Sequence, residues 1–446
     1  MPLDKTITVG AVSLGCPKNL VDAEYMLGIL QNKGYKISND PAVADVILVN
    51  TCGFIDAAKE ESIATIFEMA RYKRDGKCRA LIVTGCLSQR YGAELAEEMP
   101  EVDAFTGIHD TEKIADIIED ALRDKRPFVF TQDPCRQYAE TPRLLTTPSY
   151  SAYIRIADGC SNLCSYCAIP GIRGPLRSRT MEDILQETER LCEQGVREGI
   201  LIAQDTTQYG IDLYGKPMLA ELLNRLGGMG LHWIRVMYMN PERITDALIE
   251  TIKNDPKICK YLDIPIQHAD TGILKAMNRN PDVEHIGRLV DSLRDTSDDF
   301  ILRTTVMVGF PGETEEAFTR LEDFIAAHPF DRLGAFMYSP QEGTAAAGMP
   351  DTVPDDIKMQ RYDSIMQLQR GISARLNSQR KGRKYEVLAE GLDKESGLYY
   401  GRSYGECPGI DGKIFFKSKY DITPGLFVPV KITSTGDYDM VGEILG

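Results

Sequence analysis

A chain of 446 residues with 43% hydrophobic side chains can fill several cores and reads as two to four globular domains. No run approaches the roughly 18 consecutive apolar residues of a membrane span, and Met1-Pro2-Leu3-Asp4-Lys5 lacks the basic and apolar regions of a secretory signal, so a cytoplasmic protein without membrane contact is expected. A formal net charge of −15 argues against a protein that grips long stretches of nucleic-acid backbone and favours a small molecule or a basic protein partner. Eleven cysteines, an odd number, speak against a disulfide framework and for thiols used as ligands in a reducing compartment.

The first 140 residues alternate apolar runs with helical patterns. Strands are expected over 7–15, 45–50 and 79–84, and helices over 20–32, 57–74 and 93–99. This βαβαβ order predicts a doubly wound parallel sheet, whose ligands gather in the crevice beyond the carboxyl ends of the strands. Cys16, Cys52 and Cys86 each end one of the three strands, and each has a glycine beside it in sequence or one residue away from the strand end. Three thiols at one sheet edge can converge although they lie far apart in sequence, which points to a three-thiolate cluster site. A lone cysteine is more often core than ligand, so Cys78, Cys135, Cys192, Cys259 and Cys407, which have no partner at ligand spacing, are assigned to ordinary structure.

From Arg136 to Tyr150 the composition turns to Thr, Pro and Ser, as in a linker. Strand and helix then alternate about six times, with strands expected over 153–157, 199–204, 233–238, 261–266, 300–308 and 333–338. Six βα units make a partial TIM-like barrel, with its chemistry at the carboxyl ends of the strands. There lie Asp158, Gln204, Asp205, Gln267 and His268. The loop Cys160-Ser161-Asn162-Leu163-Cys164-Ser165-Tyr166-Cys167 follows the first strand. Its three thiols can surround one metal centre but offer no fourth cysteine to close a structural zinc shell. As ligands of an iron-sulfur cluster they would leave one iron open to a small molecule. Arg303 falls inside the fifth strand, where a charge is costly unless paired, and is expected to face the barrel interior and meet a carboxylate ligand.

A helix from Pro354 to about Arg380 leads out of the barrel, and residues 384–446 read as five short strands of a small antiparallel β barrel. Lys plus Arg equals Asp plus Glu from Ser378 onward, ten of each, so the module lacks the excess charge of a strong backbone grip. Its aromatics, Tyr399, Tyr400, Tyr404, Phe415 and Phe416, serve either as strand filling or as stacking surfaces. The expected domains are 1–140, 141–377 and 378–446.

The cysteine loop at the mouth of six βα units, the strand-end trio ahead of it and the small barrel behind it resemble the radical S-adenosylmethionine (SAM) methylthiotransferases, with a TRAM-like terminal module. The likeness spans nearly the whole chain. Ser13-Leu14-Gly15-Cys16-Pro17-Lys18-Asn19, the stretch 262–268, Gly401-Arg402-Ser403 and Gly409-Ile410-Asp411-Gly412-Lys413 are similar to the branch that modifies an aspartate of a ribosomal protein. Relatives that act on tRNA tend to read Gly-Cys-Gln-Met-Asn at the first of these. The resemblance implies two 4Fe-4S clusters, one on Cys160, Cys164 and Cys167 and one on Cys16, Cys52 and Cys86. It further implies one SAM as radical source and another as methyl donor, with Tyr166, Gln204 and Asp205 helping to hold SAM; Arg303, from its place in the strand, is counted with them as cofactor-binding. The implied substrate is the β carbon of an aspartate in small-subunit ribosomal protein number twelve, a basic protein to which an acidic enzyme is steered. An electron donor and a sulfur source are implied as further partners, and nucleic-acid contact only as a secondary feature. Two alternatives stand beside it: a tRNA methylthiotransferase acting on an adenosine beside the anticodon, and a non-catalytic RNA-associated protein whose cysteines hold zinc.

Overall fold

Val46–Thr51 and Ala80–Gly85 are buried at every position, the pattern of central parallel strands covered on both faces. The computed structural model describes residues 7–445 except 124, 127, 130–139, 281, 298 and 351; Cys135 and part of the expected linker therefore lie outside the described residues. Strands β1 (Thr8–Ser13), β2 (Lys36–Ser38), β3 (Val46–Thr51), β4 (Ala80–Gly85), β5 (Ala104–Thr106) and β6 (Phe128–Val129) form one all-parallel sheet in the order β2-β1-β3-β4-β5-β6. One face buries Val9, Leu48 and Ile82 against Met26, Leu30 and Ile118; the other buries Ile47, Val49 and Leu81 against Ile66, Met69 and Leu95. The sheet is thus doubly wound. Strands β2, β5 and β6 are only two or three residues long, too short for a period to show in the sequence.

The chain leaves β1 toward β2 and returns on the other side as β3, so the winding direction reverses between β1 and β3. A crevice opens at the carboxyl ends of strands at such a switch point. Helix α1 (Pro17–Asn32) starts there, three residues earlier than expected, because Pro17 at its first position supplies a preset helical φ and needs no hydrogen-bond acceptor. The helix is buried on nearly all sides. Ala23, Met26 and Leu30 face the N-terminal sheet, whereas Val21 and Tyr25 pack into the next module.

That module is a second all-parallel sheet: β7 (Ser151–Arg155), β10 (Glu198–Ile202), β11 (Trp233–Val236), β12 (Ile258–Asp263), β13 (Ile301–Val308) and β14 (Arg332–Met337), with β7 and β14 as its edges. A two-residue antiparallel pair, β8 (Ala157–Asp158) with β9 (Arg177–Ser178), extends from the end of β7. Ile154, Leu201, Ile234, Leu262 and Leu302 point toward the surrounding helices. Alternate positions, Ile200, Ile202, Trp233, Tyr261 and Ile301, point inward, where Val21 and Tyr25 of α1 and Leu388 and Cys407 of the terminal module cover them. No helix among the described residues is long and apolar enough to cross a membrane.

After the helix Asp355–Ser378, five strands close into a barrel: β15 (Lys384–Leu392), β16 (Tyr399–Arg402), β17 (Ile414–Lys417), β18 (Phe427–Thr435) and β19 (Met440–Ile444). Phe416 and the ring of Tyr399 are core filling here, and Tyr404 packs into the interface with the middle sheet. Tyr400 and Phe415 pair on the outside, with the Lys413 ammonium 4.2 Å from the Tyr400 ring. The barrel is fastened by a buried ion triad. Glu198 of β10 accepts from Arg235 Nε at 3.0 Å and from Arg402 Nη1 and Nη2 at 3.1 and 2.7 Å.

Burial alone would raise the Glu198 pKa, but Arg402 and Arg235 outweigh it and hold the carboxyl down from 4.5 to about 2. Because the folded value is depressed, this stabilisation is complete above about pH 4.5 and is lost as pH falls toward 2. Arg402→Met leaves buried Glu198 with Arg235 and the Ser151 hydroxyl as its remaining partners and is expected to cost about 3 kcal/mol. Trp233, the only tryptophan, packs edge-on against Phe427 of the terminal barrel at 4.7 Å, so urea unfolding followed by its fluorescence reads the loss directly.

Candidate active site

Parallel register brings Asn50 beside Ser13 and Thr84, and Thr51 beside Gly85, so Cys52 and Cys86 leave adjacent strands at the same level. Beyond β1 the chain runs through Leu14 and Gly15 to Cys16, which caps α1 in an extended conformation. Gly15 has φ +85°, and a Cβ there would stand 2.7 Å from Cys52 Cβ. Gly85 has φ +97°, and its added Cβ would meet Thr51 O at 2.4 Å. Asn19 ties these ends together: its Nδ2 donates to Leu14 O and Thr51 O at 3.2 and 2.8 Å, and its Oδ1 accepts from the Cys86 thiol at 3.3 Å.

Burial pushes the Cys86 thiol up to about 12, Arg173 opposes it, and nearby Cys16 and Cys52 reinforce it; Cys52 is likewise raised by burial and by Cys16. The three thiols therefore sit within electrostatic reach of one another, as the strand-end pattern requires.

The second thiol set follows β8. Gly159, at φ +70°, lies so close to Pro175 O that a Cβ would stand 2.1 Å from it. Cys160 N donates to Gly174 O at 3.0 Å and Asn162 N reaches Cys160 Sγ at 3.4 Å. Asn162 is clamped from below, its Nδ2 on Asp205 and its Oδ1 receiving Gln208 Nε2 at 2.6 Å and Arg243 Nη2 at 3.2 Å. Asn278 Nδ2 holds Leu163 O at 2.6 Å, and Ser165 is held through both backbone and hydroxyl to Met277 O and Ala276 O. Burial drives the Cys167 thiol up to about 12 and raises Cys160 as well, with Cys164 adding to both.

Each set offers three soft sulfur donors and no fourth. That donor set fits an iron-sulfur cluster with one iron left open, and loading it would drive the protons off the thiols. Among the described residues, no group of three or more His, Cys, Asp or Glu side chains is arranged to hold a single metal ion.

A buried ion network lies between the two sets. Arg173, at the end of the short helix Ile169–Arg173, donates from Nη2 to Asn19 Oδ1 (2.7 Å) and Asp22 Oδ2 (2.8 Å), approaches Cys86 Sγ at 3.6 Å, and reaches Asp158 from Nη1 at 3.1 Å. Arg155 of β7 pairs with the other oxygen of Asp22 and stands 3.9 Å from Asp158. Neighbouring arginines outweigh burial and hold the Asp158 carboxyl far below the usual carboxylate range.

Sequence reasoning placed Asp158 at a strand end but missed Arg155, Arg173, Asp22 and Asn19. The signal was weak: one arginine inside an apolar run, one beyond the cysteine loop, and two polar residues at the start of a helix expected from position 20. Lys18, present in a quoted motif but given no role, is 7% exposed with its ammonium 3.2 Å from the Tyr238 ring centroid.

The other expected residues fall as follows. Tyr166 packs edge-on to Phe310 at 6.5 Å beside Arg279. Gln204 donates to Asp158 at 3.4 Å while its buried Oε1 has no hydrogen-bond partner among the described residues. The Asp205 carboxylate is engaged by Asn162, Arg243, Thr207 N and Thr207 Oγ1, so it braces the cysteine loop. Arg303 meets carboxylates of the protein itself, Asp263 at 2.9 Å and Asp411 at 3.8 Å. His268 is fully buried, accepts from Asp270 N at 3.0 Å, and is pulled down to about 4 by burial; it is a neutral core residue.

Family models match along the chain in the same order: Uncharacterized protein family UPF0004 over 8–107, the Radical SAM superfamily over 154–325 and the TRAM domain over 382–445. Two structures of the radical SAM methyltransferase TsrM from Kitasatospora setae share the fold. One, with cobalamin and a 4Fe-4S cluster bound, has TM-score 0.54 and 14% identity over 75% of this chain and 77% of that one. The other, with tryptophan and a SAM analogue, has TM-score 0.54 and 13% identity over 87% and 79%. Fold and domain order together define a radical SAM enzyme carrying a TRAM barrel.

The relatives make the assignment narrower. Proteins named ribosomal protein uS12 methylthiotransferase RimO are 52% identical in Pelotomaculum thermopropionicum, 50% in Desulforamulus reducens and 48% in Clostridioides difficile, each match spanning 98% of this chain and 99% of the relative. The chain belongs to this RimO family of methylthiotransferases.

Gly15→Ala forces a Cβ into Cys52 at a backbone angle that L residues avoid. It is expected to lower stability by about 1–3 kcal/mol and to increase the rate at which a thiol reagent labels Cys52, measured by peptide mass mapping of the metal-free protein.

Proposed function

We propose that this chain attaches a methylthio group to the β carbon of an aspartate in ribosomal protein uS12, using one SAM as radical source and another as methyl donor. The observation that carries the reading is the meeting of two three-thiol sets across one buried ion network. Near full-length identity to proteins of that name supports the substrate. In this reading Cys160, Cys164 and Cys167 hold the cluster that binds SAM, and Cys16, Cys52 and Cys86 hold the second cluster, on the sulfur-donating side. With these groups bound, reductive cleavage of SAM supplies a radical able to take hydrogen from an unactivated carbon, which no side chain can start.

The residues of the chain then hold the geometry. Asp205, Gln208 and Arg243 fix Asn162 and with it the Cys160 loop. Gln204 offers its free acceptor, and Tyr166 its ring, to SAM. Arg303 stays with Asp263 and shapes the inner wall of the barrel. An electron donor and a sulfur source are separate partners. The formal charge of −15 suits a basic substrate protein, and the cytoplasm is where such a protein is met. The Lys413–Tyr400–Phe415 surface of the terminal barrel is a place for secondary contact with nucleic acid.

Anaerobic iron and sulfide analysis of the reconstituted protein is expected to give about eight irons, and Cys16→Ala about half as many. An unchanged iron content in that variant would remove Cys16 from the site. Incubation of the reduced enzyme with SAM and either uS12 or bulk tRNA, followed by mass analysis, is expected to show the methylthio adduct on uS12. An adduct on tRNA alone overturns the substrate assignment.

A further inference from the structure

The reacting carbon of an aspartate is bonded directly to its carboxylate. On the substrate reading proposed above, on which this inference rests, that carbon must stand between the radical source at the Cys160 loop and the sulfur side at Cys16, Cys52 and Cys86. Its carboxylate therefore falls in the same gap, and a buried carboxylate needs a charged or hydrogen-bonding partner there.

The cations bordering the gap differ in how they are occupied. Arg173 is tied to Asn19, Asp22 and Asp158, Arg155 to Asp22, Arg303 to Asp263 and Arg243 to Asp205. Lys18 has no ion pair or hydrogen bond among the described residues. It is 93% buried, two residues from Cys16, and within electrostatic reach of Asp158 and Asp263. Both of those carboxylates already bind an arginine, and Asp263 also accepts from Tyr238 N at 3.0 Å.

What fixes the ammonium is an aromatic ring. Lys18 Nζ lies 3.2 Å from the centroid of Tyr238, a cation–π contact that holds charge in place while leaving the N–H donors that point away from the ring unused. Tyr238 takes φ +60°, a strained value for a bulky residue. The conformation is imposed from both sides, by Asp263 Oδ2 on its N–H and by Thr206 N on its carbonyl at 3.0 Å. Strain that the surroundings enforce at the mouth of a barrel strand marks a functional position.

We infer that Lys18, held over the Tyr238 ring two residues from Cys16, is the cation that receives the carboxylate of the substrate aspartate. It acts as a specificity residue: a carboxylate there completes the shell of a buried ammonium, whereas a neutral amide of the same shape does not.

The test uses the reconstituted full-length enzyme and two forms of uS12, one with the target aspartate and one with asparagine in its place. Wild type is expected to bind the aspartate form about tenfold or more tightly than the asparagine form. In Lys18→Met the ratio should fall to about one, and Lys18→Arg should keep most of it. Lys18→Gln, which retains a polar head and hydrogen-bonding capacity, is expected to lose the preference as Lys18→Met does and serves if the methionine variant does not fold. A Lys18→Met or Lys18→Gln enzyme that keeps the wild-type preference overturns the assignment of Lys18 alone. Wild type that neither binds nor modifies either form overturns the substrate reading, and the carboxylate role with it.

Discussion

Arg155 and Arg173 meet Asp22 and Asp158 almost out of reach of water, and that contact ties α1 to the segment that carries the Cys160 loop. The four groups come from three places: α1 of the N-terminal sheet, the end of the first barrel strand, and the short helix after the cysteine loop. Taking such charges from water costs several kcal/mol per ion, and the cost is met only when every partner arrives in the right geometry. The network is therefore less a source of stability than a condition on the docking. A domain arrangement that displaced α1 would leave unpaired charges in the interior, so alternatives are disfavoured steeply.

The same logic explains why α1 is buried on nearly all sides. One stripe closes the N-terminal core and another, with Val21 and Tyr25, closes the inner face of the barrel sheet. Tyr25 hydroxyl donates to Glu187 of the barrel at 2.7 Å, and Glu24 receives Arg143 at 2.6 Å and Thr146 N at 2.8 Å, which also fixes the connecting segment. The terminal barrel closes the same inner face from another side through Glu198, Arg235 and Arg402. Three modules thus share one inner surface, with polar contacts concentrated at its rim. This arrangement keeps water from the inner face of the middle sheet.

Lys18 gives the gap a direction. Arg173 leans toward Cys86 and is committed to protein carboxylates, while Lys18 faces the barrel side with a ring beneath it. Among the described residues Lys18 makes neither an ion pair nor a hydrogen bond, whereas Arg279 beside Tyr166 donates to Pro265 O at 3.2 Å. The formal charge of −15 bears on encounter; Lys18 bears on which group is held in the gap.

Most of the architecture was legible from pattern. Continuous apolar runs such as 46–49 and 80–83 can only be central parallel strands, and three cysteines at strand ends must lie at one edge when the strands are parallel. The Cys160 loop was legible because its three thiols lie within eight residues of one another. Helix starts were less so: α1 begins at Pro17, and the helix expected over 93–99 begins at Cys86, with Gly92 and a kink at Tyr91 masking its first turns. His268 looked like a site residue by position alone and proved to be core. Arg303 was rightly judged to need a carboxylate, but the partner is Asp263 of the next strand. By itself, then, the sequence determined the three modules and the grouping of six cysteines into a local loop and a strand-end trio, because periodicity and strand ends are local properties of the chain. Only the tertiary structure decided which charges are paired across modules and that Lys18, among the described residues, makes no ion pair or hydrogen bond. Pairing depends on distances between residues far apart in sequence, and no local pattern encodes them.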